Sequence, residues 1–134
     1  MRYTEFVCPY CFHQLQECNC THKPYELIHI DEELQEIIRI LNCEKYYTTK
    51  YCCAGHYSEC SKGGDIYIVF NGKFPEPKGW EHKEQTDNYG YIKTTIRKNI
   101  YRCSMEQFEE LKAQALSDFK EFIKAIPENE EEDW

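Results

Sequence analysis

The sequence predicts an α+β fold: a mainly antiparallel or mixed sheet covered by a long C-terminal helix, with a small cysteine-rich knuckle at the N-terminus. Three observations predict it. Residues 104–126 carry an apolar stripe at helical spacing behind a capping signal. Residues 46–101 hold β-rich stretches separated by turn residues. Four of the nine cysteines crowd into residues 8–20.

The elements follow in order. Thr4-Glu5-Phe6-Val7 has strand composition, and residues 25–30 read as a lead-in strand or extended linker. Asp31 is a good N-cap, and Leu34, Ile37, Ile38 and Leu41 follow at helical spacing. They predict a helix of about three turns that stops near Asn42. Residues 46–53 are β-rich and end at Ala54-Gly55-His56. Residues 65–70 are the clearest strand; their continuous apolar run predicts a central strand buried on both faces and closed by Asn71-Gly72. Residues 72–90 carry Pro75, Pro77, Gly79 and Gly90 and read as a long surface loop. Residues 91–101 alternate as one long strand, with Ile92, Thr94 and Ile96 on one face and Arg97-Lys98-Asn99 as a turn or bulge. Ser104-Met105-Glu106-Gln107 is a capping box. The helix it opens carries Phe108, Leu111, Ala115, Phe119, Phe122 and Ile126 on one stripe, widened by Leu116 and Ile123, and runs to about Ala125.

At 134 residues the chain is one domain's worth of material. An apolar content of 41% with 30% charged residues excludes collagen, coiled coil and wholesale disorder. Net charge is −8, but Glu128, Glu130, Glu131, Glu132 and Asp133 supply five of those charges, so residues 1–127 carry only −3. A basic face for duplex nucleic acid is not expected. Stacking of single strands on the many tyrosines needs no net positive charge and stays open. No apolar run approaches the roughly 20 residues of a membrane helix. No secretory h-region follows Met1, which predicts a cytoplasmic protein.

An odd cysteine count argues against an extracellular disulfide framework. The first cluster reads Cys8-x2-Cys11-x6-Cys18-x-Cys20. Zinc takes four soft ligands at tetrahedral corners, and a Cys-x2-Cys turn places two thiolates on one edge. Pro9 stiffens that turn, and the second pair closes the site. Cys18-x3-His22 also fits, so His22 is an alternative to Cys20, and His13 a weaker one. The expected cofactor is zinc, held by Cys8, Cys11, Cys18 and Cys20. Residues 1–24 then form a zinc-knuckle lobe, residues 25–127 an α+β domain and residues 128–134 a disordered acidic tail. Cys43 and Cys103 stand apart and read as buried structural thiols.

Cys8-Pro9-Tyr10-Cys11 is also letter for letter similar to the glutaredoxin redox motif, with residues 4–7 as the strand that precedes it. That resemblance implies a low-pKa thiolate attacking disulfides through Cys8 and Cys11. It covers four residues: Cys18-Asn19-Cys20-Thr21-His22-Lys23-Pro24 interrupts the helix that should follow, and the family's Thr-Val-Pro loop is absent.

The second informative stretch is Thr49-Lys50-Tyr51-Cys52-Cys53-Ala54-Gly55-His56, followed by Cys60. In a strand Cys52 and Cys53 point to opposite faces, one of them into the core. The segment has three readings: a buried thiol beside a half-exposed one, a metal site, or a Cys nucleophile with His56 as its base. The metal site takes Cys52 or Cys53, His56 and Cys60, completed by Cys103 or His82. Thr-x-x-Cys-Cys-Ala-Gly-His before Tyr67-Ile68-Val69-Phe70 resembles a motif of small bacterial and phage proteins with an N-terminal cysteine-rich knuckle. It more faintly resembles the Thr-Ser-Ser-Cys-Ser-Gly-Arg stretch of the third type of wybutosine-synthesis methyltransferases, over about twenty residues at most. Aligned through Gly55, Cys53 takes the place of that family's Cys, Ala54 of its last Ser and His56 of its Arg, while Thr49 falls one residue out of step. The stretch belongs to the family's active region for tRNA modification, so the resemblance implies a ligand pocket. Most of the family's cofactor site has no counterpart in this shorter chain.

The expected function is a zinc-binding, non-catalytic binding or adaptor module with a protein or small-molecule partner. Its contact surface would run from Tyr51 to Cys60 together with the loop near Trp80, His82 and Tyr89. The alternatives are a Cys/His-dependent enzyme using Cys52 or Cys53 with His56, on a nucleic-acid or small-molecule substrate, and a thiol-disulfide oxidoreductase through Cys8 and Cys11.

Overall fold

Strand β4 (Gly64–Asn71) pairs antiparallel over its whole length with strand β6 (Ile92–Ile100), and the two form the middle of the main sheet. The computed structural model describes residues 4–7 and 28–129. Strand β3 (Thr49–Cys53) adds to β4, and strand β5 (Glu81–Thr86) adds to β6, giving the antiparallel order β3-β4-β6-β5. A second, two-stranded sheet pairs β1 (Thr4–Val7) with β2 (Ile28–Asp31), also antiparallel. A helical segment follows β2: a 3₁₀ turn (Glu32–Leu34), α1 (Gln35–Arg39) and a π turn (Ile40–Glu44). The chain closes with α2 (Met105–Ala125). The fold is therefore α+β, an antiparallel sheet with a long C-terminal helix. No helix among the described residues is long and apolar enough to cross a membrane.

The core follows from strand alternation. Ile66, Ile68 and Phe70 of β4, and Thr94, Ile96 and Ile100 of β6, are buried. Leu34, Ile37, Ile38, Ile40 and Leu41 of the helical segment join the same core, as do Phe108, Phe119 and Ile123 of α2. Burial of an aliphatic or aromatic side chain contributes about 1.5–3 kcal/mol, so this shared core holds helix to sheet. Phe74 stacks on Phe70 with centroids 4.0 Å apart, and Trp80 packs on Phe119 at 5.0 Å. β4 is central, and Val69 on its second face is buried as well, with Tyr67 half-buried.

The capping box forms in both directions: the Gln107 N–H donates to Ser104 Oγ at 3.2 Å and the Ser104 N–H to Gln107 Oε1 at 3.0 Å. The α2 stripe differs from the expected one. Leu111 is 51% exposed, and the side chain buried one position on is Lys112. Its ammonium is tolerated there because it meets Glu33 Oε1 at 3.0 Å, Glu109 Oε2 at 3.3 Å and the Gly55 carbonyl at 3.3 Å.

Five further expectations are corrected. Asp31 makes no side-chain cap bond; its carboxylate is used elsewhere. Asn42 does not stop the helix, which runs on to Glu44; its side chain instead bonds the Ile38 carbonyl and both the N–H and hydroxyl of Thr49, tying helix to β3. Residues 72–90 are not all loop, because β5 lies within them. Glu81-His82-Lys83-Glu84-Gln85-Thr86 has no apolar alternation, and its extended form rests on ladder bonds to β6 at the sheet edge. Arg97, Lys98 and Asn99 form no turn: they continue β6 in register opposite Tyr67, Ile66 and Asp65. β3 begins at Thr49 rather than residue 46, since Tyr46 sits at φ 61°, outside strand geometry. Of the expected knuckle lobe at residues 1–24, residues 1–3 and 8–24 lie outside the described residues, as do residues 130–134 of the expected acidic tail.

Candidate metal centre

β2 and β3 end side by side. Asp31 is the last residue of β2 and Cys53 the last of β3. Asp31 is only 6% exposed; its Oδ2 accepts the backbone N–H of Ala54 at 2.7 Å and lies 3.6 Å from His56 Nε2. One ligand atom each from Asp31, Cys53 and His56 falls within 4.8 Å of the others. This is the one such group of three found among the described residues.

Local sequence explains the placement. Alternation sends Cys52 toward the core opposite Ile68 and Cys53 to the other face opposite Tyr67. Gly55, at φ +88°, then reverses the chain and returns His56 toward Asp31. A Cβ at Gly55 would stand 2.8 Å from the Asp65 carbonyl oxygen, so close backbone approach as well as the dihedral demands glycine. The turn is held from both sides: the Gly55 N–H donates to Cys53 Sγ at 3.4 Å and Lys112 donates to the Gly55 carbonyl.

The electrostatics of the two thiols are alike in direction. Burial pushes the Cys52 thiol up to about 12, with the Asp31 charge adding to it. Burial also raises Cys53; the Gly55 N–H works against it, and Asp31 reinforces it. A nucleophilic cysteine needs the opposite shift, toward thiolate near neutral pH. A divalent cation at the same place supplies the positive charge that deprotonates a coordinating thiol.

The sequence expectation for a second metal site named Cys53 and His56, and these two come together. Its other members do not join them. Cys60 is exposed in the turn between Ser58 and Gly63. Cys103 is half-buried against the core, with its N–H bonded to Lys62 O at 3.2 Å. His82 Nε2 lies 2.6 Å from the Phe74 carbonyl, on β5. Cys52 packs against the core. Cys43 and Cys103 are half-buried rather than fully buried. Asp31, read as a cap, is the residue the sequence reading missed. The available signal was its place directly after the lead-in stretch of residues 25–30, where a cap and a ligand look alike. Trp80 is buried, so it is core rather than an exposed partner contact, whereas Tyr51 and Tyr89 are exposed. Cys8, Cys11, Cys18, Cys20, His13 and His22 lie outside the described residues.

No protein-family model, curated protein or solved structure matches this chain.

Proposed function

We propose that the protein is a small zinc-binding module that acts by binding a partner, with a structural zinc held by Cys8, Cys11, Cys18 and Cys20. One observation supports this reading. β1 and β2 pair up to Val7↔Ile28, so the cysteine run is the connection of a single antiparallel hairpin. The two ends of that connection stand about 5 Å apart. Hairpin connections usually have about 2–5 residues. One running from 8 to 27, rich in polar residues, needs a support of its own. Four thiolates on one zinc provide it, and the binding free energy becomes folding free energy of that segment.

The partner class is a protein or small molecule, met by exposed Tyr51 and Tyr89. A non-catalytic role agrees with the raised Cys52 and Cys53 thiols, which are unsuited to nucleophilic attack. A reducing compartment such as the cytoplasm keeps cysteines of this kind as thiols. Elemental analysis of protein purified without added metal tests the reading. Zinc should be present, and Cys8→Ser and Cys11→Ser should each remove one equivalent per chain. Full metal content in both variants would overturn it. Absence of zinc with fast-alkylating Cys8 and Cys11 would overturn it in favour of disulfide exchange.

A further inference from the structure

We propose that Asp31, Cys53 and His56 form a separate binding site for a divalent, borderline-soft metal ion of the zinc class. The site goes beyond the N-terminal zinc and rests on different residues.

The donor set selects the ion. One carboxylate oxygen, one sulfur and one imidazole nitrogen suit zinc and its neighbours. Calcium and magnesium call for oxygen ligands throughout. The spacing also fits. Tetrahedral zinc with bonds of roughly 2.0–2.3 Å places its ligand atoms about 3.3–3.8 Å apart. Asp31 Oδ2 and His56 Nε2 are 3.6 Å apart, and the Cys53 sulfur lies within 4.8 Å of the group. Modest closure of the thiol completes the triangle.

The surroundings are built rather than incidental. Asp31 is a buried carboxylate, and a buried anion needs a compensating partner. Its bond to the Ala54 N–H fixes the carboxylate, and the Gly55 N–H directed at Cys53 Sγ favours the sulfur as an anion. Lys112, 1% exposed, anchors the Gly55 carbonyl from α2 and spends its charge on Glu33 and Glu109. Two of the three ligands thus sit on a clamped four-residue turn, and the third ends the adjoining strand. Binding releases one proton from Cys53 to solvent, and His56 coordinates as the neutral imidazole. The fourth position is filled from outside these three residues.

The test uses the full-length chain stripped with a chelator and titrated with Co²⁺, a spectroscopic stand-in for zinc. In the Cys8→Ser, Cys11→Ser double variant one equivalent should still bind, with a thiolate-to-cobalt absorption band. Adding Cys53→Ser should abolish that band and the equivalent. His56→Gln should do so in the otherwise unaltered chain, lowering the total by one. The His56 side chain is 43% exposed, so a glutamine has room there, and an unchanged circular dichroism spectrum of His56→Gln separates loss of the ligand from loss of the fold. Persistence of the band without Cys53, or unchanged stoichiometry in His56→Gln, would overturn the site. So would loss of all cobalt from the double variant, because the three residues would then hold no ion by themselves. Failure of the N-terminal zinc reads out separately, as full metal content in the Cys8 and Cys11 variants with the Cys53-dependent band intact.

Discussion

The carboxylate of Asp31 accepts the backbone N–H of Ala54 at 2.7 Å, and both residues are buried. This bond ties the end of β2 to the turn after β3, two strands that belong to different sheets. It replaces the helix cap that Asp31 would otherwise supply. The two uses compete for one short side chain, and the buried N–H wins because leaving it unpaired costs more than an uncapped, solvated 3₁₀ turn.

Removal of that acceptor should be costly. Asp31→Ala in chelator-treated protein should lose about 1–3 kcal/mol, the penalty of a buried donor without a partner. Asp31→Asn keeps an oxygen acceptor and should lose less. Urea denaturation followed by circular dichroism separates the two; equal losses would show that charge, not the hydrogen bond, is what matters.

Lys112 offers a sharper comparison. Its ammonium is buried, whereas its partners Glu33 and Glu109 have side chains 39% and 53% exposed. Lys112→Met leaves two carboxylates that water can solvate, so it should cost at the low end of what breaking a buried ion pair costs, below about 3 kcal/mol. The double variant Glu33→Gln, Glu109→Gln strands a buried cation and should cost more. Urea midpoints at constant m-value decide the order.

Two glycines in the left-handed region should respond differently to alanine. Gly90, at φ +87°, has open space where a Cβ would go, so Gly90→Ala should cost only the dihedral strain of about 1–2 kcal/mol. Gly55→Ala adds a Cβ 2.8 Å from the Asp65 carbonyl and should cost clearly more. It should also weaken metal binding by moving Cys53 and His56 apart. Thermal melts with and without Zn²⁺ check both statements.

Glu36 and Lys120 supply a pH signature away from the metal residues. Their 2.7 Å ion pair holds the Glu36 carboxyl below its ordinary 4.5, the Lys120 hydrogen bond being the main cause. A depressed carboxyl contributes stability above the unfolded value and loses it as pH falls through the folded one. Because the Glu36 side chain is 55% exposed, the contribution is discounted to at most about 0.5 kcal/mol. Glu36→Gln should therefore be slightly less stable than wild type at pH 7 and indistinguishable at pH 3. A difference that survives at pH 3 would assign it to packing.

Much of the fold was legible because its signals are local. The capping box at Ser104, the stripe through Phe108, Phe119 and Ile123, and the apolar run from Ile66 to Phe70 each specify their own element. β5 was not legible: an exposed edge strand needs no apolar face, and its form comes from pairing with β6. Lys112 is absent from the expected stripe because nothing local reveals that Glu33, Glu109 and Gly55 converge on it.

The candidate site divides the same way. Sequence alone placed Cys52 and Cys53 on opposite faces, because strand alternation is a property of the backbone. It also marked His56 beyond a glycine that permits the turn. Which partner completes the group was decided only by tertiary structure. Asp31 lies far from Cys53 along the chain and reaches it because β2 and β3 end together. Such a juxtaposition depends on how two sheets meet, and sequence spacing carries no record of it.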